Sequence, residues 1–118
     1  MAKETLKQLE KRQKDLNQAF EKLDNQKRKL ADFEQSTMSQ YGQIYYPLRQ
    51  LEYEVSNLSD ALDLSENLSS LQGFENQLNQ AFDEGRAVLK KREWRLEEEA
   101  DHLVKAKIRY NQEEEDGN

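Results

Sequence analysis

The chain has 118 residues, room for one domain and no second. Charged residues make up 36% of it and hydrophobic ones 35%, where an ordinary globular domain is nearer a quarter charged and almost half apolar. Its 24 acidic side chains against 18 basic ones leave a net charge of −6, a balance that argues against binding a nucleic-acid backbone. With no cysteine, a disulfide framework, a thiol nucleophile and a cysteine-based zinc site are excluded.

No stretch approaches the apolar length needed to span a membrane, so membrane insertion is not expected. The opening residues Met1-Ala2-Lys3-Glu4-Thr5-Leu6 do not read as the apolar core of a signal peptide. Four glycines and one proline in a chain rich in Glu, Lys, Leu and Gln predict long amphipathic helices. Charge divides the chain into three parts. Residues 1–36 mix nine basic and seven acidic side chains, 37–72 hold Arg49 against five acidic ones, and 73–118 hold eight basic and twelve acidic ones.

The first helix is predicted over about residues 3–38. With Leu6 at heptad position a, Leu9, Leu16, Leu23 and Leu30 form the d column, while Leu6, Gln13, Phe20 and Lys27 form a partly polar a column. Thr5 and Gln8 match the two ends of a capping box. The run Ser36–Gly42, followed by Pro47, predicts a kink near 39–47, because proline removes a backbone donor and disfavours the α conformation at Tyr46. The heptad count continues across it with Tyr41, Leu48, Val55 and Leu62 at a, and Ile44, Leu51 and Leu58 at d. A second helix is therefore expected over about 47–70.

Leu71-Gln72-Gly73-Phe74 reads as the turn, since Gly73 can close a helix in the left-handed conformation. Beyond it Phe82, Leu89, Leu96, Leu103 and Tyr110 recur every seven residues and predict a third helix over about 74–114, running into an acidic tail at 113–118. Such a helix is about 60 Å long and must lie against the preceding chain. The expected fold is all-α: one elongated domain over 1–118, a long antiparallel helical hairpin like a coiled coil, its first arm kinked near 39–47 and its turn at 71–73. Trp94, Val104 and Ile108 form a second apolar face on the last helix, away from the Leu89–Leu96–Leu103 seam. Scattered surface apolar residues are common, but tryptophan is enriched at binding hot spots, and a second chain covering this face is the sharper reading.

Catalytic chemistry finds little support. Glu99 and His102 give one Glu-x-x-His; a di-metal bundle site needs that motif twice plus two facing glutamates, and Glu34 alone offers itself. No metal and no cofactor are expected. Lys90-Lys91-Arg92 with Trp94 and Arg95 has the look of a basic–aromatic patch for single strands, but Glu93 interrupts it and Glu97-Glu98-Glu99 follows. Tyr41, Tyr45, Tyr46 and Tyr53 crowd the expected kink, and their rings suit local packing or an intermolecular contact equally.

A cysteine-free, acidic chain of this size, read as a leaderless helical hairpin with a small-residue turn, resembles the WXG-type proteins of Gram-positive type VII (Esx) secretion. More narrowly, it looks like the small helical targeting factors that accompany LXG toxins. Leu71-Gln72-Gly73 stands where those proteins place Trp-x-Gly, and Tyr110 with Glu114 matches their Tyr-x-x-x-Asp/Glu export signal. The resemblance implies a non-enzymatic, chaperone-like partner that covers the apolar seam of a toxin's N-terminal helical domain, with a second small WXG-like protein alongside. It implies contacts through Phe82, Leu89, Leu96 and Leu103, or through Trp94, Val104 and Ile108. The protein would be cytoplasmic, or exported with its cargo. The rival readings are an intracellular homo-oligomeric coiled coil, whose register Gln13, Lys27, Arg92 and Glu99 would set, and a prefoldin-like chaperone. Against the latter, the β-rich segment it requires is missing from Ser56–Leu64.

Overall fold

The computed structural model describes residues 4–116. Helix α1 spans Leu6–Leu51 and α2 spans Leu58–Asp116, and no strand occurs among the described residues. The two pair antiparallel as a helical hairpin. The chain divides into two compact units, one joining the segment up to Lys27 with that from Ala87 onward, the other formed by Arg28–Arg86.

Helix α1 begins where the sequence signals it. The Gln8 N–H donates to Thr5 Oγ1 at 3.1 Å and the Thr5 N–H donates to Gln8 Oε1 at 2.8 Å, a reciprocal capping box that satisfies two otherwise orphaned donors. The expected start at residue 3 lies outside the described residues, as do the last two residues of the acidic tail.

In the first unit Leu9, Leu16 and Leu103 form a buried cluster, with Phe20, Leu96, Ala100, Ala106 and Tyr110 packed around it. Polar contacts flank this seam. Lys107 Nζ donates to Gln13 Oε1 at 2.6 Å, Arg92 Nη1 donates to Gln26 Oε1 at 3.1 Å, and Lys27 forms an ion pair with Glu93. The partly polar a column is thus satisfied across the helix pair: Gln13 and Lys27 sit at the seam's edge with α2 residues as their partners.

In the second unit Tyr41, Tyr45, Leu64 and Leu68 form the buried cluster, with Met38, Leu48, Val55 and Leu71 around it. Phe33 meets Phe82 edge-on at 5.9 Å. Arg86 pairs with both Glu34 and Asp83. Gly85 lets α1 and α2 approach, since a Cβ there would stand 3.3 Å from Leu30 Cδ2.

The expected interruptions fall elsewhere. No break occurs at 39–47: α1 runs through Gly42 and Pro47 to Leu51. A proline inside a helix costs about 3 kcal/mol, but Pro47 lies in the last turns, and Tyr41, Tyr45 and Leu48 on either side of it are packed in the cluster. Apolar burial worth roughly 1.5–3 kcal/mol per large side chain outweighs the local cost.

Nor is there a turn at 71–73. Both Leu71 and Gly73 lie within α2, no glycine among the described residues has a positive φ, and Leu71 packs against the Tyr41 cluster. A helical glycine loses only about 1 kcal/mol relative to alanine, and the seam Leu64, Leu68, Leu71, Leu78, Phe82 carries the helix across it. The helices expected over 47–70 and 74–114 are accordingly redrawn. Residues 47–51 end α1, and 58 onward form one continuous α2.

The true connection is 52–57. The N–H groups of Glu52, Tyr53 and Glu54 donate to the carbonyls of Arg49, Gln50 and Leu51, each at 3.1 Å, tightening the end of α1. Asn57 then caps α2: its Oδ1 accepts from the Ser59 N–H at 2.8 Å. Asp60 in the first turn complements the helix dipole.

Candidate partner-binding surfaces

The helix seam takes up four of the seven side chains the sequence offers to a partner. Phe82, Leu89 and Leu103 are buried within the chain, and Leu96 is half-buried against the Leu9–Leu16–Leu103 cluster. They hold α1 to α2. Their seven-residue spacing marks a seam, and α1 of the same chain lies along it.

Trp94, Val104 and Ile108 stand apart from that seam, exposed by 58%, 54% and 50%. At 100° per residue they share an arc of about 80° on α2. Charges surround them. Lys90 Nζ lies 6.0 Å from the centre of the Trp94 ring, within cation–π range, and 3.5 Å from Glu93 Oε1. Lys105 pairs with Asp101 at 3.0 Å, and His102 Nε2 lies 4.0 Å from Glu98. An exposed tryptophan ringed by polar groups is the arrangement that an apolar contact with a polar rim requires.

The second unit has an apolar surface that heptad counting missed. Ile44 and Leu51, expected on the seam, are exposed, and Tyr45 is buried instead. A straight helix drifts about 20° per heptad. Five heptads beyond Leu9 the drift is about 100°, one residue's worth, so the seam passes from Ile44 to Tyr45. Phe33, Ile44 and Leu51 then share one line of α1, because 11 and 7 residues together make five whole turns. Phe74, Leu58, Leu62, Tyr46 and Tyr53 add further exposed apolar area to this unit. A 3.6-residue period applied over the whole of α1 would have found that line; a 3.5-residue period hides it.

The tyrosines split between the two readings offered for them. Tyr41 and Tyr45 are buried and stacked, centroids 5.5 Å apart, whereas Tyr46 and Tyr53 are exposed. The Tyr45 hydroxyl accepts from Gln72 Nε2 at 3.0 Å. The Tyr41 hydroxyl is buried with no hydrogen-bond partner at normal geometry. Burial, followed by the neighbouring Glu75 carboxylate, pushes its pKa up to about 12.

Tyr110 and Glu114, expected as an export signal, lie one turn apart in α2. Tyr110 packs against the Leu9 cluster and Glu114 is exposed. Glu34 engages Arg86, and among the described residues no group of three or more His, Asp or Glu side chains is placed to hold a metal ion. The depressions along the helix pair are open grooves with charged walls, such as that between Arg12, Arg95, Glu98, Glu99 and His102. No helix among the described residues is long and apolar enough to cross a membrane. No family model matches the chain, and neither a characterised protein nor a solved structure does.

Proposed function

We propose that this chain is a non-catalytic helical partner protein, a targeting factor that binds the N-terminal helical domain of an LXG toxin and delivers it to the type VII secretion machinery. The observation that carries the reading is the uncovered apolar face Trp94–Val104–Ile108 on a helix whose own seam is already filled. A helix presenting such a face adds to a bundle by covering an apolar seam on its partner. That act keeps the cargo soluble and needs no chemistry. Phe82, Leu89 and Leu103 act as the scaffold of this face. The turn-motif role of Leu71 and Gly73 is dropped, because both are helical; Tyr110 and Glu114 remain the candidate export signal, presented on an ordered helix end.

The test is co-purification of the tagged chain from its native host, read by mass spectrometry. Recovery of a much larger LXG protein in near-equal amount, with a second small helical protein, supports the proposal. Trp94→Glu is expected to abolish that recovery while leaving helicity unchanged. Recovery of the bait alone from the wild-type host overturns the secretion reading.

A further inference from the structure

The charges on α2 are arranged asymmetrically about Trp94. Lys90 and Lys91 precede it, Glu97 and Glu98 follow it, and all five side chains are exposed. At 100° per residue the four charged positions fall within about 60° of the Trp94 direction, Lys90 and Glu97 along one edge and Lys91 and Glu98 along the other. The seam residues Leu89, Leu96 and Leu103 point about 140–180° away. Trp94 therefore sits on the back of α2, turned away from α1.

Such a face complements itself when inverted. A second α2 running the opposite way, with Trp94 on the twofold axis, brings Lys90 of one copy level with Glu97 of the other to within about 1.5 Å along the axis. Lys91 and Glu98 meet on the opposite edge in the same way. The twofold repeats both pairs, making four, and places the two indole rings together at the centre. A parallel copy would instead set Lys90 against Lys91 and Glu97 against Glu98, like charge against like, so the charge order also selects the direction.

We propose that the chain forms a homodimer through this face, α2 against α2, antiparallel, with Trp94 at the twofold. An isologous contact of this kind needs one self-complementary patch and no other partner. The dimer covers Trp94 in the absence of cargo, and a cargo helix would have to displace it. The inference is independent of the secretion reading, since it concerns the chain alone.

Sedimentation equilibrium of the full chain at low salt tests it, with far-UV circular dichroism to follow the fold. The wild type is expected to be a dimer that weakens as salt rises. Lys90→Glu/Lys91→Glu makes these four positions all acidic and Glu97→Lys/Glu98→Lys makes them all basic, so each variant alone is expected to be a monomer. Their equimolar mixture is expected to regain the dimer mass, because the acidic face then meets the basic one. A monomeric wild type, a variant that stays dimeric, or a mixture that stays monomeric overturns the proposal. An independent reading comes from Trp94→Cys in this cysteine-free chain. A short thiol-to-thiol cross-linker should join two copies through this residue, and failure to do so overturns the twofold at Trp94.

Discussion

The Tyr41 hydroxyl is buried with no hydrogen-bond partner at normal geometry, beside the Glu75 carboxylate. Leaving a hydroxyl buried without a partner costs about 1–3 kcal/mol. Tyr41→Phe keeps the ring and its stacking on Tyr45 while removing that oxygen, so it is expected to stabilise the fold at neutral pH by roughly 1 kcal/mol in urea unfolding. The alkaline limb has a definite sign. The folded pKa of about 12 lies above the unfolded value of 10.0, so the folded state holds the proton more tightly. The stability due to the neutral phenol is complete below pH 10 and is lost as pH rises through 12. Unfolding midpoints taken between pH 9 and pH 12 should fall less steeply in Tyr41→Phe than in the wild type. Equal slopes would show that Tyr41 does not carry the titration.

At the scale of the helix, local signals and packing compete, and Gly73 and Pro47 mark where packing prevails. Both residues punctuate helices on intrinsic grounds, and both sit inside one here because large apolar residues on either side are already in the core. Gly73 gives a clean test. A Cβ there would meet nothing within 4 Å, and the backbone is helical. Gly73→Ala is therefore expected to stabilise the protein by about 0.5–1 kcal/mol through propensity alone. At a left-handed turn the same change would destabilise, so a lowered thermal midpoint would contradict the continuous α2. The helix starts are more legible: Thr5 with Gln8 marks the start of α1, and Asn57 with Asp60 is the same kind of signal for α2, overshadowed by the glycine 16 residues later.

For the whole molecule, the two units carry separate buried clusters, one around Leu9, Leu16 and Leu103, the other around Tyr41, Tyr45, Leu64 and Leu68. Neighbouring parts of a protein open with different free energies when their cores are distinct. Leu103→Ala removes a side chain that is 2% exposed, a change that costs about 2–5 kcal/mol in a core that cannot collapse. Hydrogen exchange is expected to lose amide protection in residues 6–27 and 87–116 and to keep most of it in 28–86. Equal loss in both would mean that the chain opens as one piece. Both clusters are small, and they leave large apolar residues such as Phe33, Ile44 and Trp94 exposed.

Helix content, antiparallel pairing, the leucine seam on the last helix and the second apolar face at Trp94, Val104 and Ile108 are all legible along the chain. Those features follow from composition and periodicity, which act residue by residue along a helix. Where the chain reverses, and which apolar residues stay outside, come from the packing of the two helices. The reversal at 52–57 and the exposure of Ile44 and Leu51 depend on which side chains of α1 meet which side chains of α2. A helical glycine costs about 1 kcal/mol and a proline about 3 kcal/mol locally, and the summed burial of a paired helix face exceeds this. The place of the turn is therefore set by the pairing that buries Tyr41, Tyr45, Leu64 and Leu68 together.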